Sequence, residues 1–403
     1  MKVFWLIFPL LASAAGPVRQ EKPPTSQPSK NVDFPGQTST SLEGKKIPAG
    51  IQNPDTKCYF AALFQALFHL PSFRTRVLER VSDDIVHTCL ASFFYRLLAA
   101  SSDESVSMDA DILPVIRERN KGEGNAFTPS AMDDSHAVWG WLMDKHLLDI
   151  SDELFATQTQ SQVFLEDIPV SAPSIARENC LEPKVLLAPE LFVEEMMIES
   201  TEQVTGYAVD PVVLDRATRA ALASIGIKRR TSDLEVTIKR TIVQTPPILV
   251  LHPSKFDFDP TTGVGSWRSD ITTKYRPSFK IHGKTFHLHA IIAYDLAHYV
   301  TYACTDVESN TWYRFSDRVV DAHDPTSAIR ESPYFLMYVE EGHRASWSDP
   351  EFKIIKKPTD AHLAYRGLGD IFASLIYGNA LLSFLTNLAT KSDVYMEPPA
   401  PTV

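Results

Sequence analysis

The sequence predicts an α+β protein built on an antiparallel sheet, and two observations carry that prediction. Between residues 58 and 150, apolar residues recur at helical spacing in one segment after another. From Pro246-Pro247 onward they gather in short strand-like runs separated by turn formers. Helices early and strands late is the chain order of helices segregated to one side of an antiparallel sheet.

The chain has 403 residues, 44% of them hydrophobic, which is ample for a large core in one domain with insertions or in two or three domains. Formal net charge is -11 and no basic run or stripe occurs, so nucleic acid is not expected as a partner. An acidic chain suits a basic or neutral polypeptide better. The four cysteines, Cys58, Cys89, Cys180 and Cys304, form no C-x-x-C pair, so a zinc ribbon has no support. Four in so long a chain is not a disulfide scaffold either.

Taken in order, MKVFWLIFPLLASAAG joins one Lys to an apolar run and then to small residues, the pattern of a secretory leader over residues 1–15. That run is too short for a comfortable membrane span. Residues 16–47, rich in Pro, Ser, Thr, Gln and Lys, read as a disordered linker. Helices are expected in CYFAALFQALFHL, where Thr56 can cap and Pro71 stops the run. Others are expected in SFRTRVLERV, DDIVHTCLASFFYRLLAA and SHAVWGWLMDKHLLDI. Residues 155–245 are mixed, with one alternating strand in LEVTIKRTIVQT. Strands are expected in ILVLH, TFHLHAIIAY, HYVTYACT, TWYRFSD and PYFLMYVE. In the tail, residues 343–403, the apolar stretch 371–389 is interrupted by Asn379 and Asn387. It barely reaches the length of a span and reads better as a packed or interfacial helix, so no membrane contact is assigned.

Cys58 stands in the first turn of its helix, after the turn-rich loop NPDT. A helix N-terminus favours a thiolate, although a free cysteine is more often a small core residue. A nucleophilic cysteine needs a base within hydrogen-bond reach and a third group to orient that base. His298 begins a strand after a loop, where an imidazole can face a cleft. If the next strand pairs antiparallel, Ser316 and Asp317 return beside the His298 end and become candidate orienters.

Four blocks, in order, resemble the ubiquitin-specific proteases, the papain-like deubiquitinases. In GIQNPDTKCYFAALFQALFHLPSF, the residues Gly50, Asn53, Cys58, Tyr59, Gln65, Leu67, Pro71 and Phe73 fall in register with the family's Cys box. In MDDSHAVWGWLMD, Asp134, His136, Leu142 and Asp144 align with the second box. PPILVLHPSKF is similar to a family strand, and HYVTYACTDVESNTWYRFSDRVV is similar to the His box and the segment that follows it. The likeness spans roughly residues 48–340 in widely spaced blocks.

The resemblance implies a papain-like fold over residues 48–342, with a helical thumb, a reduced fingers region and an antiparallel palm. It implies a thiol-dependent deubiquitinase that hydrolyses the bond after ubiquitin's C-terminal glycine, with no cofactor and no metal. Cys58 would be the nucleophile and His298 the base. The family's third residue falls at Ser316, with Asp317 assisting. Asn53 matches the oxyanion-hole donor, and Asp134 matches a carboxylate that grips the substrate's basic tail. Ubiquitin or ubiquitinated proteins are the implied partners.

The departures are Asp55 and Lys57 in place of Gly and Thr beside the Cys, Ala297 in place of Gly before the His, and Ala137 in the second box. An acid at 55 disfavours a thiolate and a cation at 57 favours it. The family's two C-x-x-C pairs are missing. An inactive ubiquitin-binding relative of the same fold is the alternative to an enzyme, and a papain-type secreted peptidase without ubiquitin preference ranks third. A secretory leader sits uneasily with a cytosolic substrate. Export into a host cell reconciles the two, and a cytoplasmic location is the alternative.

Overall fold

The computed structural model describes residues 48–345, except 54–55, 81, 101–103, 110–111, 122–133, 166, 184, 186–190, 208–233, 260–263, 268–270, 295–297 and 324–332. All of them belong to the unit Gly36–Val403. The leader at 1–15, the linker at 16–47, the stretch at 371–389, and Pro54, Asp55 and Ala297 lie outside the described residues. Among the described residues no helix is long and apolar enough to cross a membrane.

The first half is helical, as its periodicity requires. Helix α1 (Cys58–Phe68) is buried along its whole length. Its start departs from expectation: Lys57 holds the cap position without a side-chain cap bond, and the Lys57 N–H is taken instead by Asn53 Oδ1 at 2.9 Å. Pro71 does not merely stop α1. It opens α2 (Pro71–Glu79) at a position where the missing N–H costs nothing. Helix α3 (Ile85–Ala99) is capped by Asp84, whose carboxylate accepts from Val86 and His87 N–H. After α4 (Ile112–Lys121), the segment SHAVWGWLMDKHLLDI breaks into α5 (Ser135–Trp141), a π turn at Leu142–His146 and α6 (Leu148–Leu154). Leu147, at φ -123, leaves the helical region between the last two. A short parallel pair, β1 (Gly50–Gln52) with β2 (Ser105–Ser107), lies within this half and was not anticipated.

The less legible middle forms a sheet of its own. Strands β3 (Thr157–Leu165), β4 (Ile168–Pro169), β5 (Ser174–Glu178), β6 (Glu199–Tyr207) and β7 (Leu234–Gln244) join antiparallel in the order β4-β3-β7-β6, with β5 on β3. A short helix, α7 (Val193–Ile198), leads into β6.

The last third is the main sheet. It contains β8 (Ile248–Leu251), β11 (Ser278–Ile281), β12 (Lys284–Tyr294), β13 (Tyr299–Asp306), β14 (Thr311–Ser316), β15 (Val319–His323) and β16 (Pro333–Glu340). The order is β15-β14-β13-β12-β16-β8, with β11 on β12, while β9 (Phe256–Asp259) and β10 (Val264–Trp267) pair apart. Successive side chains of a strand point to opposite faces. Ile248 and Val250 therefore join the core shared with the helices, and Leu249 and Leu251 join a second core on the far face. A bulge in β12 between Leu288 and Ala290 breaks the alternation, sending Leu288 to the far core and Ala290 to the helical one. Between two cores β16 has no polar face, so PYFLMYVE is nearly continuous in apolar character.

Three hydrogen bonds fix α1 on this frame. Thr301 Oγ1 of β13 donates to Ala62 O at 2.6 Å, Ser135 Oγ of α5 to Tyr59 O at 3.0 Å, and Gln65 Nε2 to Ala49 O at 2.9 Å. The first turn of α1 is thereby held against the start of β13.

Candidate active site

The strand pairing brings the candidate residues together. Strands β13 and β14 are antiparallel with Thr301 opposite Phe315, so Ser316 and Asp317 lie beside the start of β13, where His298 stands. His298 Nε2 is 3.0 Å from Ser316 Oγ and 3.8 Å from the Asp317 carboxylate. Asp317 occupies the two-residue turn between β14 and β15 at φ 54, a left-handed conformation that Asp tolerates better than most residues. Strand β1 buttresses that turn: Ile51 N–H donates to Asp317 O at 2.9 Å. Gly50 is required at this point, because a Cβ there would lie 2.5 Å from the backbone oxygen of Arg318.

Helix α1 packs on β13, with Thr301 Oγ1 bonded to Ala62 O, which sets Cys58 in the first turn of α1 near the start of that strand. Burial pushes the thiol above its ordinary range, backbone N–H groups, that of Tyr299 first, pull against the rise, and the Asp317 carboxylate adds to it. The expectation that the helix start delivers a ready thiolate is therefore corrected: at rest the group is held as a thiol. The charge of Lys57, expected to favour the thiolate, is also compromised. Lys57 is buried, and its ammonium pairs with Asp109 at 2.8 Å.

Asn53 is held at both ends of its amide. Its Oδ1 accepts from Lys57 N–H, and its Nδ2 donates to Asp317 Oδ2 at 3.1 Å. The amide thus ties the loop before Cys58 to the carboxylate beside His298.

Asp134 caps α5, accepting from His136 N–H at 2.7 Å, and also accepts from the Tyr334 hydroxyl. Tyr334 packs T-shaped against Tyr294 and Tyr299, which lie tilted on each other, with ring centroids 4.6 to 6.0 Å apart. All three phenols are pushed above the ordinary range, first by burial and then by charged neighbours. Tyr294 feels both Cys58 and Asp134, so these rings bridge the thiol and the carboxylate. Sequence reasoning missed this floor. Its signal was a Tyr directly after His298 and another opening PYFLMYVE, but alternation alone does not say that the two face each other.

Chemically the arrangement offers a nucleophile, an imidazole held through one nitrogen, a carboxylate near that nitrogen and an amide donor on the adjacent loop. These are the parts of acyl transfer by cysteine.

Comparison with known proteins agrees with this chemistry. The profile of the ubiquitin carboxyl-terminal hydrolase family matches residues 49–338. The Homo sapiens protein named Ubiquitin carboxyl-terminal hydrolase 28 is 23% identical over 237 residues, covering 54% of this chain and 20% of that protein. The chain thus spans about a fifth of the length of that curated relative. Among solved structures, a SAGA DUB module of Ubp8, Sgf11, Sus1 and Sgf73 bound to monoubiquitin aligns with TM-score 0.54 at 13% identity, over 74% of this chain and 72% of that one. The Ubp8 module bound to ubiquitin aldehyde aligns with TM-score 0.53 at 14% identity, over 75% and 72%. At these identities the likeness to the solved structures is one of fold.

Proposed function

This chain belongs to the ubiquitin carboxyl-terminal hydrolase family, and from that premise we propose that it is a cysteine deubiquitinase cleaving the bond after ubiquitin's C-terminal glycine. One observation carries the proposal: His298 is held through Nε2 by Ser316 at 3.0 Å, at the start of the strand on which α1 packs with Cys58 in its first turn. Nδ1 of the imidazole is then the nitrogen that exchanges a proton with the thiol.

In the proposed reaction, Cys58 passes its proton to His298 as the sulfur attacks the glycine carbonyl. The oxyanion forms beside the first turn of α1, where backbone N–H groups lack helical partners. Asn53 supplies its second amide hydrogen there, its first being committed to Asp317. His298 returns the proton to the leaving amine, giving a thioester. Water then attacks with His298 as base, freeing ubiquitin's carboxylate and restoring the thiol. Ser316 orients the imidazole, and Asp317 stabilises the imidazolium. Asp134, held by Tyr334, receives the basic tail of the substrate over the tyrosine floor.

Incubation of the full chain with ubiquitin bearing a thiol-reactive C-terminal electrophile tests this. An adduct that Cys58→Ala abolishes is the expected result. Measurable ubiquitin affinity without an adduct would replace the enzyme with a ubiquitin-binding pseudoenzyme, and neither adduct nor affinity would sink the ubiquitin assignment.

The leader-like residues 1–15 support secretion as part of the same proposal, with export to a host cell giving access to cytosolic ubiquitin. Recovery of the protein only from the cytosol of the producing cell would remove that part.

A further inference from the structure

About two residues beyond the tail-binding carboxylate lies a second constellation that the deubiquitinase reaction does not use. His136 sits in the first turn of α5, Glu182 in the segment between β5 and α7, and His252 immediately after β8. One ligand atom from each lies within 4.8 Å of the other two, and His136 Nε2 is 3.3 Å from Glu182 Oε1. Tetrahedral zinc with N and O ligands at about 2.0–2.1 Å separates its donors by roughly 3.3 Å. One pair therefore already stands at the required distance, and the third donor atom lies within 4.8 Å of both.

Two features distinguish this cluster from an ordinary surface ion pair. The two imidazoles lie against each other, 4.4 Å between centroids at 18°, and must turn out of the stack to aim a nitrogen each at one ion. Both ring nitrogens of His252 are shielded from solvent and have no hydrogen-bond partner among the described residues, an arrangement that normally costs free energy. The backbone under the site is clamped: Leu181 N–H donates to Val250 O at 2.9 Å, and His252 N–H to Leu181 O at 2.8 Å. The segment carrying Glu182 and the strand end carrying His252 thus cannot drift apart. The rings of Phe335 and Tyr334, 5.3 and 4.6 Å from that of His252, form an apolar backing.

We propose that His136, Glu182 and His252 form a binding site for a divalent borderline metal ion, Zn²⁺ being the best match to two imidazoles and one carboxylate. The fourth position is left to water, since Glu182 stands at the exposed side of the cluster. The ion fastens α5 to the end of β8. It does so without the paired cysteines whose absence ruled out a zinc ribbon, because its ligands come from three separate elements.

The test is equilibrium dialysis of the full chain against Zn²⁺ in a Cys58→Ala background, which removes the proposed nucleophilic thiol as a competing ligand. The expected result is one ion per chain, a rise in Tm with Zn²⁺, and at least a tenfold weaker affinity in Glu182→Gln and in His252→Gln. Co²⁺ as a spectroscopic substitute should show ligand-field bands without a thiolate charge-transfer band. Glu182 is exposed, so its amide variant keeps the fold even if the histidine variant does not. Binding that survives both substitutions, a thiolate band from Cys180, or no stoichiometric binding at all would each overturn the proposal. None of these outcomes bears on the Cys58 adduct, so the two proposals fail separately.

Discussion

Replacing Asp317 with Asn removes one charge and almost no volume, and it separates two candidate partners of His298. Ser316 is the nearer, at 3.0 Å from Nε2, but it is neutral. A neutral hydrogen bond contributes about 0.5–1.5 kcal/mol, so Ser316→Ala should slow turnover roughly 2- to 13-fold. Asp317 is farther, at 3.8 Å, but carries charge. At that distance an ion pair is worth about 1 kcal/mol in a water-like medium and about 4 kcal/mol at the effective dielectric of a protein. The ring and the carboxylate are 34% and 24% exposed, which places the pair between those limits. About 2 kcal/mol, or roughly 30-fold in kcat, is the expected loss. The term acts only once the imidazolium forms, because the resting Cys58 is a thiol, so kcat should fall with little change in KM. The assay is hydrolysis of ubiquitin carrying a fluorogenic C-terminal amide. A greater loss in Ser316→Ala than in Asp317→Asn, with both proteins folded, would refute this ordering and make the hydroxyl the dominant orienter.

The rate of Cys58 alkylation by iodoacetamide, followed at that residue by mass spectrometry, should keep rising with pH through the ordinary thiol range, since burial and Asp317 raise its pKa. Asp317→Asn should shift that profile to lower pH, and a plateau persisting below neutrality would contradict the resting thiol. Gly50→Ala places a Cβ 2.5 Å from Arg318 O. It should cost about 1–3 kcal/mol in denaturant unfolding and reduce kcat by displacing the turn that carries Asp317. Asp84→Ala should cost about 0.5–2 kcal/mol near neutral pH through loss of the α3 cap. Burial opposes the Asp84 charge, but the His146 bond and the His87 and Val86 N–H groups outweigh it and hold the carboxyl below its usual range. Its stabilisation is thus present above the unfolded carboxylate pKa and lost as pH falls through the folded value. Unfolding at stepped pH should show the two proteins converging in acid. Asp134→Asn should raise KM for ubiquitin more than it lowers kcat, and an unchanged KM would remove Asp134 from the substrate tail.

Local pattern carried the fold class and the order of elements. Helical spacing marked α1, α2, α3, α5 and α6, alternation marked β7 and β13, and short apolar runs between turn formers marked β8, β12, β14 and β16, because each pattern reports which sides of one element are buried. The π turn at Leu142–His146 was invisible to that signal, since an added residue in one turn leaves the flanking periodicity intact. The sheet of β3–β7 was hard to read because its first strand, TQTQSQVFL, is largely polar.

The sequence by itself determined that Cys58 begins a buried helix, that His298 begins a strand, and that an antiparallel partner returns Ser316 and Asp317 to its side. Each follows from neighbours a few residues away. Only the tertiary structure decided how those groups are charged and tied. Asn53 bonds Asp317 across 264 positions of chain, and Lys57 spends its charge on Asp109 across 52. The same holds for the tyrosine floor and for the meeting of His136, Glu182 and His252, which come from three different elements. A local period cannot encode such contacts, because they depend on which strand lies beside which helix, and burial and charge at the site are set by that packing.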